Sequence, residues 1–130
     1  MKYLKTIFHI LNIILIIFYL FPGSILGCLF YNDCLIQPQI TRDFIASSNH
    51  VYIFSLLAFI GFVYQNSKKI MFFYLIFLSI FLESMHYLIP NRSFQHEDLL
   101  GNLFGVTISL VIIKLILFFK EKNAKIEKIK

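Results

Sequence analysis

Charge is what this sequence has least of. Charged residues fill 15% of its 130 positions while 58% are hydrophobic, and the mean hydropathy is +0.77. Soluble domains carry about 25% charged residues, and a chain of this size and composition would leave too much apolar surface in contact with water. That argues against a soluble globular fold and for an integral membrane protein solvated by lipid. Tryptophan is absent, and phenylalanine, at 16 copies, supplies much of the aromatic surface. Cysteine is limited to Cys28 and Cys34. Two cysteines define no disulfide framework, although these can pair if their loop faces an oxidising compartment. Internal repeats and a separate soluble segment are also missing.

The formal net charge is +5, but its distribution matters more than its sum. Lys2 and Lys5 open the chain, Lys68 and Lys69 sit mid-chain, and Lys120, Lys122, Lys125, Lys128 and Lys130 close it. These residues flank apolar runs instead of forming a basic face on a soluble scaffold. They fit membrane orientation, not nucleic-acid binding.

Four apolar runs follow one another. The first covers about Thr6 to Leu20, interrupted by His9 and Asn12, and ends at Pro22-Gly23, a helix-breaking pair. His9 is expected to be a packed polar residue, not a ligand. Ile25-Leu26-Gly27-Cys28 approximates a lipoprotein cleavage box. The leucine before Gly27 fits that box poorly and further spans follow, so an uncleaved first helix is expected. Gly23 to Asn49 reads as a loop. His50 to Tyr64 is a second run, Gln65 to Lys69 a polar turn, and Ile70 to Ile89 a third run. Pro90 to Glu97 is a second polar loop, and Leu99 to Phe119 is the fourth run. The expected fold is an all-α membrane protein, a bundle of about four transmembrane helices over residues 1–119, with a basic cytoplasmic tail at 120–130.

Charge sets the orientation. Four spans put all nine of those lysines on one side and leave Arg42 and Arg92 on the other, with Lys114 close enough to the inner end to snorkel. Both termini are then cytoplasmic, and the loops holding Cys28 and Arg92 face outward.

This orientation gives the rare polar residues a depth. Glu83 lies seven residues before Pro90, roughly 10 Å below the outer boundary at 1.5 Å per residue. His86 stands about 4–5 Å higher. His50 opens the second run from the outer side, Asp98 stands at the mouth of the fourth, and Asn102 lies about one turn inside it. Separated pieces of sequence thus deliver polar groups to one level. Ionisable groups at the edge of an apolar span are expensive and usually have a function. Glu83 and His86 share a helix face, with Ser79 and Tyr87 one turn either way. Asp98, Asn102, Gly105 and Ser109 form a polar-to-small stripe, which is expected to pack against the Glu83 face. Structural roles compete with functional ones. Asp98 can cap its helix, Arg92 can neutralise Glu83 or Asp98, and Asn102 can serve as interhelical glue. His96 and Glu97 read as solvated loop residues.

Glu83-x-x-His86, Pro90-x-Arg92 and Asp98-x-x-x-Asn102-x-x-Gly105 together resemble the VanZ-like family, whose pattern is E-x-x-Q, P-x-R and D-x-x-x-N-x-x-G. His50 followed by Phe54 resembles the family's upstream histidine, so the similarity covers about residues 50–117. The chain departs from the pattern at His86, where the family has Gln, at Ala46, where it often has an acid, and at Ser109, near an expected glycine. The resemblance implies about four spans in the bacterial cytoplasmic membrane, a role in the cell envelope and a link to glycopeptide antibiotic resistance. It implies no reaction.

The favoured function is binding of an envelope lipid or lipid-linked headgroup in the outer leaflet by His50, Glu83, His86, Arg92, Asp98 and Asn102. The arginine and histidines would hold an anionic group while the carboxylates orient them. The alternative is a membrane enzyme acting on a lipid-linked or phosphorylated substrate, with Glu83 and His86 as an acid–base pair and Arg92 stabilising developing charge. In a metal-dependent form of that enzyme, Glu83, His86 and Asp98 would be the ligands. The favoured function needs no metal or other cofactor. A proton relay through Glu83 and His86 is the weakest option, because only His9 and Lys114 lie deeper toward the cytoplasm.

Overall fold

A computed structural model describes residues 2–127. It contains five helices and, among the described residues, no strand: α1 (Lys2–Leu20), α2 (Ile25–Tyr31), α3 (Ser48–Tyr64), α4 (Lys68–Met85) and α5 (His96–Glu127).

The helix ends have local causes. Beyond α1, Gly23 takes a left-handed φ of 103°, which a side chain would resist. The segment expected to be a loop then forms α2. Ser24 caps it by accepting the Gly27 N–H at 3.0 Å, and Asn32 closes it at φ 53°. Cys28 and Cys34 are disulfide-bonded and fold the segment after α2 back onto it. Lys68 ends α3 by donating its ammonium to the Phe62 and Gln65 carbonyls. The same residue begins α4, so this turn is locked by its own charge. Helix α4 stops at Met85, short of the expected Ile89. Three successive i→i+3 bonds, His86 to Glu83, Tyr87 to Ser84 and Leu88 to Met85, tighten the chain out of the α-helical register. Helix α5 runs past Phe119 to Glu127, so the expected tail is helical that far; Lys128 and Lys130 lie outside the described residues.

Helix α3 is the hub. It packs on α1, α4 and α5, and its pairing with α5 is the most extensive in the fold. The reason is Gly101 and Gly105. A Cβ on Gly105 would lie 2.6 Å from the Val51 carbonyl oxygen, and one on Gly101 would lie 2.6 Å from that of Ser47. Two backbones this close admit only glycine. Ser109 extends the seam by donating to the Ser55 carbonyl at 2.7 Å. The Gly105 and Ser109 part of the α5 stripe therefore packs on α3 and not on the Glu83 face as expected, while Asp98 at its start does lie near Glu83; the glycines allow a closer approach to α3 than α4 makes. Phe8 and Leu15 of α1, Phe54 and Phe62 of α3, Leu75 and Leu82 of α4 and Val106 of α5 fill the interior.

The outside is as apolar as the inside. Ile13, Ile17, Phe73, Phe77 and Phe118 are all more than half exposed. Helices α1 and α5 are long and apolar enough to cross a membrane, and only 22% and 28% of their most apolar windows are buried. A core helix of a soluble protein would be mostly buried. Helix α3 is apolar but, at 17 residues, shorter. His9 is exposed, with its ring against Phe8 and Tyr64, and Lys114 is exposed as well.

Candidate functional site

Four helices and one loop bring polar groups to a single place between the end of α1, the start of α3, the end of α4 and the start of α5. Tyr19, on the last turn of α1, is its centre and is buried. Its hydroxyl donates to Asn102 Oδ1 at 2.8 Å and lies 2.6 Å from His50 Nδ1. A hydroxyl has one proton, so His50 Nδ1–H donates to the Tyr19 oxygen. His50 Nδ1 is also 3.1 Å from Asn102 Oδ1. This chain of bonds leaves His50 Nε2 pointing at Asp98 Oδ2, 3.5 Å away.

The second histidine is held differently. His86 Nε2 donates to the Tyr19 carbonyl at 3.2 Å, and the His86 ring stacks on the Tyr19 ring at 5.3 Å. The carbonyl can only accept, so Nε2 carries a proton. Nδ1 of the same ring faces Glu83 Oε1 at 3.2 Å. Glu83 Oε1 also accepts the Gln95 backbone N–H at 3.0 Å, which ties the end of α4 to the start of α5. Glu83 is completely buried, and its second oxygen, Oε2, has no hydrogen-bond partner among the described residues.

Asp98 occupies the first turn of α5, where the helix dipole favours an anion. Ser47, just before α3, donates its backbone N–H to the Glu97 carbonyl at 2.9 Å, holding the two helix starts level. His50, Asn102 and Asp98 are thereby brought together by the same glycine seam that joins α3 to α5.

Five of the six expected residues, His50, Glu83, His86, Asp98 and Asn102, converge in this network. Arg92 does not join it as a neutralising partner. Its Nε donates to the Phe21 carbonyl at 3.3 Å and its Nη2 to the Phe18 carbonyl at 3.1 Å, capping the open end of α1. No ion pair links it to either carboxylate among the described residues. Burial lowers the pKa of its guanidinium, while Asp98, Tyr19 and Glu83 act in the opposite direction. Tyr87 points away and is exposed, and so are His96 and Glu97.

A groove of about 280 Å³ opens onto the network between α1 and α3. Leu11, Ile14, Ile53 and Leu56 are among its walls, and His50, His86 and Arg92 line its polar part. No family model, curated protein or solved structure matches this chain.

Tyr19 is the one central residue that the sequence analysis missed. Its signal was present: a hydroxyl at the end of the first run, level with His50 and His86. An aromatic in an apolar run reads as filler unless its depth is compared with that of the other polar groups.

Proposed function

We propose that this chain is a VanZ-like integral membrane protein of the bacterial envelope that binds an envelope lipid or lipid-linked headgroup in the outer leaflet. The observation that carries this is the groove. Its apolar flank suits an acyl or prenyl chain, and the flank leads to two histidines and an arginine. Arginine has five N–H donors; two are given to the α1 carbonyls, which leaves three for an anionic headgroup.

In this proposal α1, α3, α4 and α5 cross the bilayer and both termini are cytoplasmic. The lysine distribution supports that orientation. The Cys28–Cys34 disulfide supports an oxidising, outward environment for the α2 segment. The alternative, an enzyme with Glu83 and His86 as its acid–base pair, fits the geometry less well. Both His86 nitrogens are engaged, and Glu83 is sealed from the groove side.

Lipid analysis of the purified protein tests the proposal. The wild-type chain, extracted in mild detergent from native membranes, is expected to retain one lipid class enriched over the bulk. Arg92→Ala is expected to lose about tenfold or more of it, the scale of a charged hydrogen bond. Equal retention by wild type, Arg92→Ala and the tail variant Lys122→Ala would overturn the proposal.

A further inference from the structure

The polar network holds two carboxylates, each facing one histidine. Glu83 has no guanidinium partner, because Arg92 is committed to the end of α1. Its Oε1 is fully used by Gln95 and His86, yet its Oε2, in a completely buried side chain, is bonded to nothing among the described residues. A buried carboxylate oxygen without a donor is costly, and such an orphan points to an absent partner. Across from it lie Asp98 and the open Nε2 of His50. One ligating atom from each of His50, Glu83 and Asp98 falls within 4.8 Å of the others.

We propose that His50, Glu83 and Asp98 bind a divalent first-row cation, with Zn2+ the best match to one imidazole nitrogen and two carboxylates. Ligands about 2.0–2.1 Å from a tetrahedral zinc stand about 3.4 Å apart. His50 Nε2 and Asp98 Oδ2 are already 3.5 Å apart. No pair in the set is farther apart than 4.8 Å, so side-chain shifts of at most about 1.4 Å close it. Tyr19 and Asn102 hold His50 by its other nitrogen, the outer-shell contact that fixes the metal-binding tautomer. His86 and Gln95 hold Glu83 in the same way. The ligand set differs from the Glu83, His86 and Asp98 set that helical spacing suggests, because His86 has no free nitrogen. Three protein ligands leave a fourth position, and His50 borders the groove. The inference does not require a lipid there.

The test uses the full chain in detergent, stripped with chelator and then offered Zn2+, with Mn2+ and Mg2+ as comparisons. Elemental analysis after desalting is expected to find one zinc per chain, and thermal unfolding is expected to shift upward with zinc and back with chelator. Co2+ substitution is expected to give the visible absorption of a tetrahedral site in the wild-type chain. Asp98→Asn and His50→Gln are expected to bind at least about 100-fold more weakly, and His86→Gln about 10–100-fold, as for an outer-shell contact. The exposed Glu97→Gln is expected to bind like wild type. Wild-type protein that takes up no stoichiometric metal and shows no cobalt spectrum overturns the site, whether or not the variants fold. Equal zinc uptake by Asp98→Asn and wild type also overturns it. Arg92→Ala separates this inference from lipid binding: it is expected to lose the lipid and keep the zinc.

Discussion

Replacing Gly105 by alanine tests the feature on which the polar network depends, the contact between α3 and α5. The added Cβ would stand 2.6 Å from the Val51 carbonyl oxygen and 2.8 Å from the Ser55 nitrogen. Both are backbone atoms of α3, so no rotamer change relieves the clash. Restoring the shorter contact to an ordinary 3.4 Å moves α3 outward by 0.8 Å. Overpacking of this kind costs about 1–3 kcal/mol. The movement also stretches the bonds from Ser55 Oγ to the Gly105 carbonyl and from Ser109 Oγ to the Ser55 carbonyl, worth about 0.6 kcal/mol each in a membrane protein. Alanine's helix propensity offsets about 1 kcal/mol of this. The net expectation is a loss of about 1–3 kcal/mol. Gly61→Ala is the internal control. Its Cβ would approach the Phe8 ring at 2.8 Å and Met71 Sδ at 2.9 Å, both side-chain atoms. Met71 can repack, so that variant should unfold within about 1 kcal/mol of wild type. Reversible unfolding in bicelles, by steric trapping or denaturant titration, measures both. If Gly105→Ala proves as stable as wild type, or no weaker than Gly61→Ala, the close α3–α5 crossing is wrong.

Three further outcomes are expected. Tyr19→Phe removes the hydroxyl between His50 and Asn102, which should cost about 1–2 kcal/mol; it should also change the ring nitrogen chemical shifts of His50 while leaving those of His9 unchanged. Asn12 donates its side-chain amide to the Tyr74 hydroxyl, and its Oδ1 has no partner among the described residues. Tyr74→Phe alone should therefore cost about 1–3 kcal/mol, whereas Asn12→Leu combined with Tyr74→Phe should recover most of that loss in the same unfolding assay. Finally, Cys28 and Cys34 should resist alkylation in intact membranes until reduced, and the Cys28→Ser/Cys34→Ser pair should lose no more than about 2.5 kcal/mol, since the closed loop is short. Labelling of both thiols without reductant would refute the pairing.

Several elements were legible because their causes are local. Pro22-Gly23 ends α1, the Gln65–Ser67 turn separates α3 from α4, and the apolar runs predict four of the five helices, with both ends within about four residues for α1, α3 and α4 but the end of α5 eight residues too early. Helix α2 was not legible, because its cap at Ser24 and its left-handed exit at Asn32 are only recognisable once the backbone angles are known. The stop at Met85 depends on a turn that frees His86 to reach the Tyr19 carbonyl, a partner 67 positions earlier. Arg92 has the charge to neutralise Glu83, but the unsatisfied carbonyls at the end of α1 hold it instead.

Composition and spacing alone determined that the fold is all-helical, the level at which its polar residues gather and five of the residues found there. Those follow from hydrophobic run lengths and from a constant rise per residue, quantities that need no partner. Only the tertiary structure decided which polar groups meet. It placed Tyr19 at the centre, turned the α5 glycines toward α3, gave the His86 Nε2 to the Tyr19 carbonyl and left His50 open toward Asp98. Those choices depend on how closely two helices can approach and on which unsatisfied backbone atom lies within reach, and neither is written in any single segment.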